Sequence, residues 1–179
     1  MFFIRLDDLQ GPEIAALLTA HLADMRATSP AESVHALDLT ALRQPDIRFW
    51  TLWHQPDSTA PAELAGCIAL KQLDACYGEK HGEIKSTRVA EAFRGKGCGR
   101  LLVTHLLAAA QQSGLQRVSL ETGSMAFFQP ARALYQAFGF VECPPFADYI
   151  EDPNSVFMTL SLVESTVYNL HFDAANISA

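Results

Sequence analysis

Nothing in this chain spells out a metal centre, a disulfide frame or a membrane span. Its four cysteines, Cys67, Cys76, Cys98 and Cys143, show no CxxC spacing. They read as reduced, partly buried thiols. The histidines at 21, 35, 54, 81, 105 and 171 are scattered and form no HExxH pair, so no metal cofactor is expected. The longest nearly apolar stretch, Leu101 to Ala110, is interrupted by Thr104 and His105. It falls far short of a bilayer, and no membrane partner is expected. Positive charge is scarce too: 13 Lys and Arg stand against 20 Asp and Glu, a net charge of −7. Neutralising phosphates needs a basic face, so nucleic acid is not the expected partner. A neutral or cationic acceptor suits this balance better. The segment Met1 to Asp8 has no basic n-region and no small-residue cleavage site, which gives a cytoplasmic expectation.

What remains is an ordinary globular composition, 49% apolar and 18% charged, in 179 residues. That length fits one domain. Alternation and helical spacing predict a strand at 2–6, a helix opening at Pro12, a short helix at 33–42, and strands at 48–54, 63–73 and 82–90. A helix at about 98–113, a strand at 116–121, a helix at 127–138 and strands from 140 and over 155–162 follow. In the first helix Ile14, Leu17, Leu18, His21, Leu22 and Met25 recur at helical spacing. Gly66 reads as a bulge or a close-packing point. Trp50 and Trp53 read as strand residues on opposite faces, or as walls of an aromatic pocket. The order implies an α/β (α+β) architecture: a mixed, mostly antiparallel sheet of six or seven strands with helices on both faces. The domain is expected to span 1–162. Residues 163–179 show no clear period and read as a tail, an extra strand or a contact in a homodimer.

The informative segment is Arg94-Gly95-Lys96-Gly97-Cys98-Gly99, directly ahead of a leucine-rich helix. Glycines let a backbone approach an anion closely and take positive φ. The first-turn N–H groups of the following helix then point at that anion. Arg94, Lys96 and Arg100 add formal charge. The segment does not match GxxxxGK[ST], and both GxGxxG frames fail, at Arg100 and at Leu102. It does match (Arg/Gln)-x-x-Gly-x-(Gly/Ala). A second motif follows about 40 residues on: Ala131-Arg132-Ala133-Leu134-Tyr135-Gln136-Ala137-Phe138-Gly139-Phe140.

With these two motifs, in this order, the sequence resembles the GNAT superfamily of acetyl-CoA-dependent N-acetyltransferases, most strongly from Glu83 to Phe140. The segments 120–125, 146–149 and 152–158 resemble a bacterial subgroup with no firm substrate. The resemblance implies a GNAT acyl-CoA N-acyltransferase fold and acetyl-CoA as co-substrate. The loop N–H groups of 95–99 would hold the pyrophosphate. Arg88 and Val89 would line the pantetheine arm beside a strand bulge, with the Val89 N–H polarising the thioester carbonyl. Arg100 and Thr122 complete the implied cofactor set. Tyr135 holds the position of the general acid, or is a packed helix aromatic. Glu83 holds that of the base, direct or through water, or is an exposed acid paired with Lys80 or Lys85. Glu121 is its rival. His81 reads as a surface residue of the 80–82 turn. Phe128 stands where the family often has a cofactor-contacting asparagine. The acceptor, an amine of a small molecule or peptide, would meet Asp38, Glu121, Asp148 and Tyr149. The competing function is a non-catalytic acyl-CoA sensor.

Overall fold

The computed structural model describes residues 1–28, 30, 38–74 and 78–163. Seven strands are present there: β1 (Phe2–Leu6), β2 (Ile47–His54), β3 (Glu63–Gln72), β4 (His81–Val89), β5 (Arg117–Gly123), β6 (Val141–Glu142) and β7 (Ser155–Ser161). They form one sheet in the order β1-β2-β3-β4-β5-β7-β6. Every neighbouring pair is antiparallel except β4 and β5. Helices α1 (Pro12–Thr28), α2 (Leu39–Leu42), α3 (Cys98–Gln112) and α4 (Gln129–Ala137) complete the frame. The expected mixed sheet is therefore present. The first half of the short helix expected at 33–42, Cys76, His35 and residues 164–179 lie outside the described residues.

The helices divide between the two faces according to strand alternation. Trp50, Leu52, Ile68, Leu70, Ile84, Val118 and Leu120 pack with Leu102 and Leu106 of α3 and with Tyr135 of α4. Their neighbours Phe49, Cys67 and Ala69 point the other way, onto Ile14 and Leu18 of α1 and Leu42 of α2. β3 is buried on both faces, which is why its sequence from Ala65 to Leu70 reads as an unbroken apolar run. Trp50 and Trp53 are both buried core residues. Trp53 donates its indole N–H to Thr51 at 2.9 Å under the Arg5 guanidinium.

One irregularity in β4 positions the site. Cys67 pairs with Arg88 and Ala69 with Lys85, so Ser86 and Thr87 together oppose the single residue Ile68. This is a β-bulge. Ser86 takes φ 51°, the left-handed region that a non-glycine residue enters at a cost. The bulge bends β4, and its parallel pairing with β5 ends at Ile84 and Leu120. Beyond that point the two strands diverge. Gly66, opposite Val89, is the close-packing point expected from the sequence: a Cβ there would lie 2.6 Å from the Arg88 carbonyl.

Candidate active site

The glycine segment forms the turn between β4 and α3. Gly95 has φ 76° and Gly97 φ 78°, values that only glycine adopts without strain. A Cβ at either would meet no protein atom within 4 Å, so it is backbone conformation and open space that call for glycine here. Gly99 serves packing instead: a Cβ would sit 3.0 Å from Leu134 of α4. The first bond of the α3 ladder runs from Leu101 N to Gly97 O at 3.1 Å. The N–H groups of 98–100 therefore precede the ladder, as an anion cradle requires. The Cys98 side chain is buried and its thiol pushed up by desolvation, which leaves its N–H as the group that can serve a ligand.

Gly95, Gly97 and Gly99 line a cleft of about 520 Å³ with Arg88 and Val89 of β4 and Leu134 of α4. Arg94 lines it too. Lys96 and Arg100 do not, and their charges rest over the rings of Phe93 and Phe138. The Arg88 guanidinium pairs with Asp24 of α1 at 2.9 Å, and its buried Nε has no partner. Phe128 fills space at the inner wall. Its ring occupies the volume a Cβ at Gly123 would take, so the glycine ending β5 is what admits an aromatic here.

A smaller pocket of about 120 Å³ lies where β4 and β5 diverge. Lys85, Ser86 and Thr87 form one wall and Glu121 and Thr122 the other. His21 and Met25 of α1, Phe128 and Tyr135 close it. Tyr135 is 5% exposed and donates to Thr87 Oγ1 at 3.0 Å. Burial pushes its phenol up to about 12, so it keeps its proton at neutral pH. Ser155 donates to Glu121 at 2.7 Å. The buried Ser86 hydroxyl has no partner.

Behind this pocket Glu83 is 3% exposed. Its carboxylate takes a hydrogen bond from Tyr149 at 2.7 Å and pairs with Lys85 at 2.8 Å. Lys85 also donates to the Tyr149 oxygen. Desolvation, then the Glu83 charge, pushes the Tyr149 phenol far up. Phe146 and Phe157 stack around its ring at 5.2 and 5.3 Å.

The structure thus gathers Arg88, Val89, Arg94, Gly95, Gly97, Cys98 and Gly99 at one cleft, and Glu121, Thr122 and Tyr135 at the other. Several placements differ from expectation. Glu83 pairs with Lys85, as one of its two readings had it, but it is buried rather than exposed and lines neither opening. Asp38 is exposed and caps α2, accepting from Ala41 N at 2.8 Å; it lines neither opening. Asp148 is exposed on the loop before β7 and also lines neither. His81 is not a surface turn residue. It begins β4, half-buried, 2.8 Å from Ser119 Oγ and against Phe146, and its proton affinity is lowered by burial and then by Arg117. Sequence reasoning missed His21 as a cleft residue. The one signal was a histidine set in the apolar stripe of α1.

A seven-stranded sheet splayed at its one parallel pair, with a glycine cradle heading the next helix, defines an acyl-CoA-binding acyltransferase architecture. The chain belongs to the GNAT acetyltransferase family, whose sequence model, described as "Acetyltransferase (GNAT) family", matches residues 14–140. It is 50% identical over 159 residues to YsnE of Bacillus subtilis (strain 168), an uncharacterized N-acetyltransferase, covering 89% of this chain and 99% of YsnE. Among solved structures it is similar to a Klebsiella pneumoniae protein provisionally described as an acyl-CoA N-acyltransferase. There the TM-score is 0.71 at 28% identity, covering 90% of this chain and 98% of that one. A Bacillus subtilis acetyltransferase solved in complex with CoA shares the fold, with a TM-score of 0.64 at 20% identity over 90% of this chain and 99% of that one.

Proposed function

We propose that the protein transfers the acetyl group of acetyl-CoA to a primary amine of a small molecule or peptide, by direct attack in a ternary complex. The observation that carries this reading is the gap between β4 and β5, which joins the glycine-lined cleft to a pocket holding a protonated phenol and a carboxylate. The cradle fits a pyrophosphate: φ is positive at Gly95 and Gly97, and no protein atom stands where their Cβ atoms would be. Bound acetyl-CoA supplies an activated acyl carbon. In this reading the N–H groups of 95–99 hold the pyrophosphate, and Arg94 adds charge. Arg88 and Val89 flank the pantetheine arm, and the Val89 N–H polarises the carbonyl. Tyr135 gives a proton to the departing sulfur; its raised proton affinity keeps it loaded at neutral pH. Glu121 faces the acceptor and offers an ammonium a counter-charge. Glu83 is spoken for by Lys85 and Tyr149, and its role here is to hold the Lys85 side chain at the acceptor end, while Tyr149 lines neither opening.

The test is CoA thiol release from acetyl-CoA with pooled primary amines and peptides. Amine-dependent release is the expected result. Tight acetyl-CoA binding with no release across the panel would overturn the transfer reading in favour of a sensor.

A further inference from the structure

The two openings meet at a shared wall, and among the described residues His21 is the one ionisable side chain that belongs to it. His21, Met25, Thr87, Phe128, Ala131 and Leu134 line both. The other charged or titrating groups line one side only. Arg88, Asp24 and Arg94 lie toward the glycine cradle, and Lys85, Glu121 and Tyr135 toward the pocket between the strands. The acyl carbon and the attacking amine must come together at that wall if the transfer reading holds. Glu83, the carboxylate that the family resemblance points to, lines neither opening and is engaged by Lys85 and Tyr149.

We infer that His21 is the catalytic proton acceptor for the incoming amine. This rests on the transfer reading and adds a residue to it. In the step, the amine nitrogen bonds to the acyl carbon, and the carbon–sulfur bond breaks with its electron pair going to sulfur. Tyr135 protonates that sulfur, and the imidazole of His21 takes the proton shed by nitrogen. The imidazolium then discharges to solvent and Tyr135 reprotonates, so the sum is amine plus thioester giving amide plus thiol.

The electrostatics agree with this placement. Burial, and then the Arg88 guanidinium, lower His21 to about 4, against an opposing effect of Asp24. The ring is therefore neutral at neutral pH and has a lone pair to offer. Among the described residues, Lys85 from β4, Glu121 from β5 and Tyr135 from α4 are the other titratable groups lining the pocket between the strands, and Asp24, Arg88, Arg94 and Cys98 those lining the glycine cleft. A weak base suffices, because the nitrogen becomes far more acidic as its bond to carbon forms.

Three measurements test it. With whichever pooled amine releases thiol, His21→Ala should lower kcat/KM by about 10²-fold while acetyl-CoA affinity changes little. Added imidazole should restore rate to that variant, a rescue that a packing role would not give. His21→Gln, closer in size, serves if the alanine variant fails to fold. On the wild-type protein, diethylpyrocarbonate should modify His21, read by peptide mass, and acetyl-CoA should block the modification. Full rate in either variant, a slow variant that imidazole does not rescue, or labelling indifferent to acetyl-CoA would overturn the assignment. Silence of the wild-type protein toward every amine would instead overturn the transfer reading, and this role with it.

Discussion

Tyr135 Oη donates to Thr87 Oγ1 at 3.0 Å, across the joint between α4 and the bulged half of β4. The bond aims the phenol into the space where the strands part. Tyr135→Phe should keep the fold and acetyl-CoA affinity yet lower turnover by about 10²-fold or more. Steady-state kinetics beside calorimetric binding would decide; unchanged turnover would assign Tyr135 to packing.

Gly97→Val should weaken acetyl-CoA binding by at least about tenfold, with a folding cost of about 1 kcal/mol or more from the positive φ. No protein atom lies within 4 Å of the added Cβ, so the binding loss would come from the ligand side. Titration calorimetry on the folded variant checks it. Undiminished affinity would contradict the cradle.

Lys85→Met would leave the Glu83 carboxylate buried without its counter-charge; the two side chains are 12% and 3% exposed. Breaking such a pair costs about 3–5 kcal/mol. The double variant Glu83→Gln with Lys85→Met should recover part of that, because the charges leave together. Urea denaturation of the four proteins in the cycle gives the coupling, and simple additivity would show the pair to be independent.

His21 also makes a prediction about stability. Its folded-state value, about 4, lies below the ordinary 6.5. Between those values the unfolded chain binds a proton that the folded one refuses. Stability should therefore fall as pH drops from about 6.5 to 4, by up to roughly 3 kcal/mol from this residue. His81 and His105 are also lowered and act in the same direction. Comparison of the wild-type protein with His21→Gln isolates the His21 share, as a shallower loss of melting temperature in the variant.

The donor half of this site is legible because glycine's demands are local. Positive φ at 95 and 97 and the helix start at Cys98 are properties of adjacent residues, and a motif records them. The strands were legible for the same reason, as β3 shows with its doubly buried run. The acceptor half depends on contacts across the chain. Glu83 meets Tyr149 over 66 positions of sequence, and Lys85 competes for the same carboxylate, so the base that the family resemblance implied at this position is already engaged. Asp38 looked like a pocket acid, but its carboxylate is spent on a helix cap three residues away. His21 was hidden by its own periodicity: in the apolar stripe of α1 it reads as core, and only the divergence of two distant strands opens a cleft against it.

That divergence is stored as a count of residues. Five residues lie between Cys67's partner Arg88 and Leu70's partner Ile84 when both ends are included, facing four on β3. The surplus residue puts Lys85 and Arg88, an odd number of positions apart, on the same side of the sheet as Ala69 and Cys67. A chain shorter by one between Lys85 and Arg88 could run a regular ladder, with both side chains keeping their partners and their face and the bulge gone. Drift in side-chain chemistry would be gradual here, whereas a single-codon deletion would remove the opening at a stroke.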